Sequence, residues 1–243
     1  MHCRSTAPDV VVLVVDDGAG WTDGVADLLR PEQVSVVVAD DRQDLLVLTE
    51  QTQPEMIILD LDSPRAGELE ICRRLRAVSD AYLIVVSARC DQAMTIAGLG
   101  AGADDVLTKP LSSREIAARI RVFLRRRRRS RRAGTVARRS GGSPRKCVVG
   151  PLSVDVARRE VFVDDEKISL TRTQFAILAT LAQRPGAVTT RQELLDSVWG
   201  PWWTGSPNII DVHIGQLRRK LGDDPASPLL VVNVRGRGYR LAG

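Results

Sequence analysis

Five side chains in the first half of the sequence have the types that phosphoryl chemistry requires: Asp16, Asp17, Asp60, Ser87 and Lys109. Each stands at the end of a short apolar run. Met56-Ile57-Ile58-Leu59, between Pro54 and Pro64, reads as a strand buried on both faces of a parallel sheet and leads into Asp60. Val10 to Val15 runs into Asp16-Asp17-Gly18, Ala81 to Val86 into Ser87-Ala88, and Asp105-Val106-Leu107-Thr108 into Lys109-Pro110. Ligands of open α/β sheets bind outside the carboxyl ends of the strands, so these residues are expected to share one mouth, with Asp60 as the reactive group. Three carboxylates a few ångströms apart repel by about 4 kcal/mol per pair at an effective dielectric near 20, so the cluster calls for a cation. Mg²⁺ suits it, because it takes oxygen ligands and keeps waters that a phosphate can displace. Asp60 can then attack a phosphoryl group while the cation and the Lys109 ammonium neutralise its oxygens and Ser87 donates to it. A plainer role for the same residues is structural: Asp16 and Asp17 capping a helix, with Lys109 paired to them.

The elements that must position these groups alternate. Helical spacing runs over Trp21 to Leu29, Asp44 to Glu50, Leu69 to Arg76 with a basic outer face, a Gly-rich stretch after Ser87, and Ser112 to Leu124. Val34 to Val38 reads as an edge strand. Strands alternating with helices through short loops predict a doubly wound parallel sheet of five strands.

The whole chain has 243 residues and a net charge of +5, which conceals a division. Residues 1–124 carry 12 Lys/Arg against 20 Asp/Glu, residues 125–147 carry 11 basic residues and no acidic one, and residues 148–243 carry 12 against 10. Two domains, 9–125 and 148–243, joined by a flexible arginine-rich linker over 126–147, are therefore expected, with a polyanion among the partners. The linker arginines act either as a solvated spacer or as non-specific phosphate contacts. Cys3, Cys72, Cys90 and Cys147 lie far apart without metal-ligand spacing and read as reduced thiols of a cytoplasmic protein. The longest early apolar run, Val10 to Val15, is too short for a membrane span.

In the second half, Leu152 to Asp155, Glu160 to Asp164 and Lys167 to Leu170 alternate as antiparallel strands. Thr171 starts a helix through Phe175, Leu178 and Ala182, and Thr189 or Thr190 caps a second through Leu194, Leu195 and Val198. A third runs from about Pro207 to Leu221, and Val231 to Val234 and Tyr239 to Leu241 form a hairpin around Arg235-Gly236-Arg237-Gly238. Ile210, Ile214, Leu217 and Leu221 make one apolar stripe of the third helix, which is expected to leave Asp211, Val212, His213, Gly215, Gln216, Arg218 and Arg219 outside. Such a face suits the major groove of double-stranded DNA, and Arg235 or Arg237 can enter the minor groove. His213 reads as a groove-facing polar residue rather than a metal ligand.

Val14-Val15-Asp16-Asp17, Ile57-Ile58-Leu59-Asp60-Leu61 with Pro64, Ser87-Ala88, Gly102-Ala103-Asp104-Asp105 and Thr108-Lys109-Pro110 together resemble the receiver domain of two-component response regulators, over about residues 9–125. The resemblance implies a flavodoxin-like fold, phosphorylation of Asp60 by a sensor histidine kinase, and Mg²⁺ held by Asp16, Asp17, Asp60 and the backbone carbonyl of Asp62. It further implies phosphoryl reading by Ser87 and Lys109, and a homodimer using Asp104, Asp105, Glu115, Arg119, Arg125 and Arg126. Three places depart from the family pattern: Gly67-Glu68 where Asp-Gly is usual, Val106 where an aromatic usually swings with the Ser/Thr, and Met94-Thr95 on a helix whose dimerising face is usually charged.

Leu170-Thr171 and Phe175, Leu194 to Gly200, Asp211-Val212-His213-Ile214, Leu217 to Pro225 and Val234 to Arg240 resemble the winged helix-turn-helix effector domain of the OmpR/PhoB family. That resemblance implies that residues 207–221 form the recognition helix, that Trp199 and Tyr239 touch the DNA backbone, and that loop 200–206 meets RNA polymerase. Trp202 and Trp203 in that loop are either a buried anchor or a partner contact. Asn208, Ile209 and Gly215-Gln216 differ from common family members, so the target sequence does not carry over. The expected protein is a phosphorylation-controlled DNA-binding transcription factor and not an enzyme. One rival keeps the DNA binding but makes the receiver a constitutive dimer module; another treats Asp60-Leu61-Asp62 as the DxD of an aspartyl-phosphate phosphohydrolase.

Overall fold

The computed structural model describes residues 10–15, 22–32, 34–39, 45–61, 69–88, 91–125, 146–201, 203 and 208–243. The chain divides into two compact units between Ile120 and Arg121.

The first unit runs β1 (Val10–Val15), α1 (Thr22–Leu29) with a 3₁₀ turn at Arg30–Glu32, β2 (Val34–Ala39), α2 (Leu45–Thr52), β3 (Met56–Leu61), α3 (Leu69–Val78), β4 (Tyr82–Ser87), α4 (Gln92–Gly100), β5 (Asp105–Thr108) and a helix α5 over residues 113–125, which passes the break between units. Its sheet has five parallel strands in the order β2-β1-β3-β4-β5, the doubly wound arrangement that the alternation predicts. All six residues of β3 are buried, as an uninterrupted Met-Ile-Ile-Leu run between two helical layers requires, whereas β2 lies at the edge and exposes Val38. Leu61 aligns with Ser87 and Ser87 with Thr108, so β3, β4 and β5 finish level, while Val15 aligns with Leu59 and β1 stops two residues short of β3.

Helix α3 packs Leu69, Cys72 and Leu75 inward and keeps Glu70, Arg73 and Arg74 outside. Arg76 departs from the expected basic outer face. It turns inward, donating from Nε to the Gly102 carbonyl at 2.6 Å, from Nη1 to the Ala81 carbonyl and from Nη2 to the Asp104 carboxylate, which also accepts from the Leu83 amide at 2.9 Å. Gly102, at φ +112°, is required there, because a Cβ would stand 2.6 Å from Arg76 Cγ.

The second unit begins with a four-stranded antiparallel sheet, β6 (Lys146–Val149), β7 (Leu152–Asp155), β8 (Glu160–Val163) and β9 (Glu166–Lys167). Lys146 and Cys147, assigned to the linker from sequence, belong to β6, which pairs with β7; the third strand expected over 167–170 is only the short β9. Three helices follow, α6 (Arg172–Ala182), α7 (Arg191–Val198) and α8 (Ile209–Leu221), and then β11 (Val231–Val234) and β12 (Gly238–Leu241). Both α6 and α7 open with capping boxes, Thr171 with Gln174 and Thr190 with Glu193. Thr189–Thr190 is also a two-residue strand, β10, paired with β12, so the residue that caps α7 is tied to the hairpin. Ile177, Leu178, Leu194, Ile210, Ile214, Leu217, Val231 and Leu241 form the core that closes the helices onto the hairpin. Helix α8 ends at Gly222, whose left-handed φ of 68° suits a residue without Cβ.

Candidate functional site

Asp60 is the penultimate residue of β3 and is completely buried. Its Oδ1 lies 2.7 Å from Nζ of Lys109, just past the end of β5. Lys109 is held in place by its own amide, which donates to the Ser87 carbonyl at 2.9 Å, and its peptide bond to Pro110 is cis. Ser87, also fully buried, closes β4 beside Leu61. The structure thus brings Asp60, Ser87 and Lys109 to one level of the sheet. Asp16, Asp17 and Asp62 lie outside the described residues, and so do Gly67 and Glu68. Among the described residues no three acidic, His or Cys side chains gather to hold a metal. The described share of the site, a buried carboxylate oxygen donor, has the chemistry of a hard cation's ligand.

Val106 is half-buried on β5, and Gly98 of α4 is what lets the helix approach it: a Cβ on Gly98 would sit 3.1 Å from Val106 Cγ2. Of the residues assigned to a dimer face, Asp104 is 0% exposed and its carboxylate is engaged by Arg76 and the Leu83 amide, so it anchors α3 to β4 inside the fold instead of lining a surface. Asp105, also buried, pairs with Arg119 of the same chain at 3.0 Å. Glu115 is exposed and accepts from the Ser112 amide and hydroxyl, contacts that hold its carboxyl below the usual range. Arg125 is exposed at the end of α5, and Arg126 lies outside the described residues.

In the second unit the outer face of α8 differs from the expected one in two positions. Asn208, just before the helix, together with Asp211, Val212, Gly215, Gln216 and Arg219 is at least partly exposed, at spacings of three and four. His213 and Arg218 are not: His213 is 1% exposed and lies beside Trp199, ring centroids 5.5 Å apart. Arg218 donates from Nε and Nη2 to the Val231 carbonyl at 2.9 and 2.6 Å, tying α8 to the hairpin. A helix packed against both α7 and a hairpin must bury more than a single stripe, and the one-stripe reading of α8 missed this. Three more of the residues assigned to the DNA contact are buried. Ile209 is 2% exposed and belongs to the core; Trp199 is 5% exposed, between His213 and Trp203; and the Tyr239 ring is 4% exposed.

The Tyr239 hydroxyl donates to Asp211 at 2.6 Å, and Arg191 Nε donates to the same oxygen at 3.0 Å. Burial first, and then Asp211, push the phenol pKa up to about 12. Arg191 therefore stands at the edge of the α8 face, a position that α7's ordinary amphipathic pattern did not mark out. Arg235 and Arg237 at the hairpin tip are exposed. Trp203 is half-buried; Trp202 lies outside the described residues.

A buried phosphoacceptor-type aspartate on a doubly wound sheet, followed by a three-helix unit with an arginine-tipped hairpin, defines a response regulator that binds DNA. Residues 12–121 match the family described as "Response regulator receiver domain", and residues 165–241 match "Transcriptional regulatory protein, C terminal". The chain belongs to the OmpR/PhoB family of two-component response regulators. It is 38% identical to the sensory transduction protein RegX3 of Mycolicibacterium smegmatis over 96% of this chain and 99% of that one. It is 33% identical to the DNA-binding response regulator MtrA of Mycolicibacterium paratuberculosis, over 94% and 96%. Among solved structures, a mutant form of RitR is similar at a TM-score of 0.71 and 25% identity, over 96% of this chain and 100% of that one. Among the described residues no helix is long and apolar enough to cross a membrane.

Proposed function

We propose that a sensor histidine kinase phosphorylates Asp60 and thereby controls how α8 and the β11–β12 hairpin engage duplex DNA to regulate transcription. The observation that carries this reading is the fully buried Asp60 carboxylate with the Lys109 ammonium 2.7 Å away. A carboxylate oxygen of Asp60 attacks the phosphorus, and the bond from phosphorus to the kinase's histidine nitrogen breaks. Lys109 offsets the charge on the transferred group, and the Ser87 hydroxyl donates to one of its oxygens. Asp16, Asp17, Asp60 and the Asp62 carbonyl would hold Mg²⁺, which neutralises phosphoryl oxygens when bound. The protein works in the cytoplasm as a homodimer, meets RNA polymerase through loop 200–206, and turns over no small phosphomonoester.

Acetyl phosphate with Mg²⁺, read by intact-mass spectrometry, tests the reading. The parent is expected to gain one phosphate and Asp60→Asn none; a parent that stays unmodified refutes phosphorylation at Asp60. A second reading, a receiver that dimerises without phosphate, draws on Val106 packed against Gly98 in place of a mobile aromatic. Equal operator affinity for Asp60→Ala and the parent, with and without the phosphoryl donor, would favour it.

A further inference from the structure

Asp211 is the acidic residue of α8 and stands on its exposed face, where contact with a polyanion disfavours negative charge. One oxygen of its carboxylate, Oδ1, is used twice: it accepts from the Tyr239 hydroxyl at 2.6 Å and from Arg191 Nε at 3.0 Å. The Tyr239 oxygen in turn accepts from Arg191 Nη2 at 3.5 Å, and the guanidinium carbon lies 5.0 Å from the centre of the phenol ring. This anchor is built into the fold. The Tyr239 ring is buried, and Tyr239 pairs across the sheet with Thr189, two residues before Arg191.

A guanidinium has five N–H groups in a planar array. The edge formed by Nε and Nη2 is taken up by Asp211 and Tyr239, and among the described residues Nη1 has no acceptor bonded to it. What is left is the second fork, Nη1 with the outer N–H of Nη2, and a fixed pair of parallel donors matches two oxygens of a phosphate. We propose that Arg191 grips a phosphate of the DNA backbone with this fork, and that Asp211 is the positioning residue that holds the fork in place, so that Asp211 favours DNA binding in spite of its charge. The inference rests on DNA engagement by α8.

Anisotropy titration of the full-length protein onto a labelled duplex of mixed sequence, at several salt concentrations, tests it. Phosphate contacts carry no sequence information, so the duplex needs no operator. The parent is compared with Arg191→Ala, Asp211→Ala, Asp211→Asn and the double variant Arg191→Ala/Asp211→Ala. Removal of a carboxylate that only repels the duplex would tighten binding. Asp211→Ala is instead expected to weaken it about threefold, and Arg191→Ala about tenfold, with the slope of log affinity against log salt reduced by about one. Asp211→Asn, whose amide oxygen can still accept from Arg191 and Tyr239, should bind at least as tightly as the parent. Once Arg191 is gone, Asp211→Ala should cost nothing further, whereas a carboxylate that reads a base directly would still be missed. An unchanged salt slope for Arg191→Ala, an Asp211→Ala variant as tight as the parent or tighter, an Asp211→Asn variant as weak as Asp211→Ala, or a further loss in the double variant overturns the proposal. If the parent itself binds no duplex at any salt concentration, the DNA-binding reading of α8 fails, and this one with it.

Discussion

Arg218 and Arg219 are neighbours in sequence with opposite fates. Arg218 holds the Val231 carbonyl from inside the fold, and Arg219 is exposed on α8. Arg218→Ala is expected to lower stability by about 2–3 kcal/mol in denaturant unfolding, since it leaves a buried carbonyl unsatisfied. Arg219→Ala should stay within about 0.5 kcal/mol of the parent in the same measurement. Tyr239 offers a titration test. Its raised pKa means that folding favours the neutral phenol, so its contribution is complete below about pH 10 and disappears as the pH rises through about 12. Tyrosinate absorbance in a Tyr82→Phe background, which leaves Tyr239 as the one tyrosine, should show a midpoint near pH 12. A midpoint near 10 would mean that the phenol is not held as described.

Among the elements, the strands of the first unit were legible because uninterrupted β-branched and aliphatic runs between loop residues have few other uses. β3 is the clearest case, and its penultimate aspartate followed directly. Helix boundaries were legible wherever a Thr capped its own third residue, as at Thr171 and Thr190. What stayed hidden were long-range polar contacts. Nothing local in α3 distinguishes Arg76, which is half-buried against Gly102 and Asp104, from Arg73, which is exposed and pairs with Glu70 at 2.8 Å. Nothing local in α8 shows that His213 meets Trp199, because α7 and the hairpin that cover it come from elsewhere in the chain. β10 was also missed, since two residues carry no period. Its pairing predicts an intolerant glycine: Gly238 has φ +151°, and a Cβ there would lie 2.2 Å from the Thr189 carbonyl oxygen. Gly238→Ala should cost at least about 2 kcal/mol, whereas Gly236→Ala, at φ +70° with open space around it, should cost about 1 kcal/mol; thermal unfolding of the two variants separates them.

Across the full chain, the unequal charge of its segments governs how it meets a polyanion. Residues 125–147 carry 11 basic residues and no acidic one, while Arg219, Arg235 and Arg237 supply exposed cations on the second unit. DNA affinity should fall steeply with salt, and replacing Arg235 or Arg237 by Ala should each reduce the slope of log affinity against log salt by about one, measured by anisotropy titration at several salt concentrations. An unchanged slope would show that the hairpin tip stays off the phosphates. The joining of β10 to β12 has a mechanical side as well. Because Thr190 both starts α7 and flanks the hairpin, the arginines at the loop and Arg191 beside α8 are mounted on one strut. A duplex that engages both is therefore expected to be gauged as by a caliper with locked jaws, and duplexes of equal contact bases but different groove width should bind unequally.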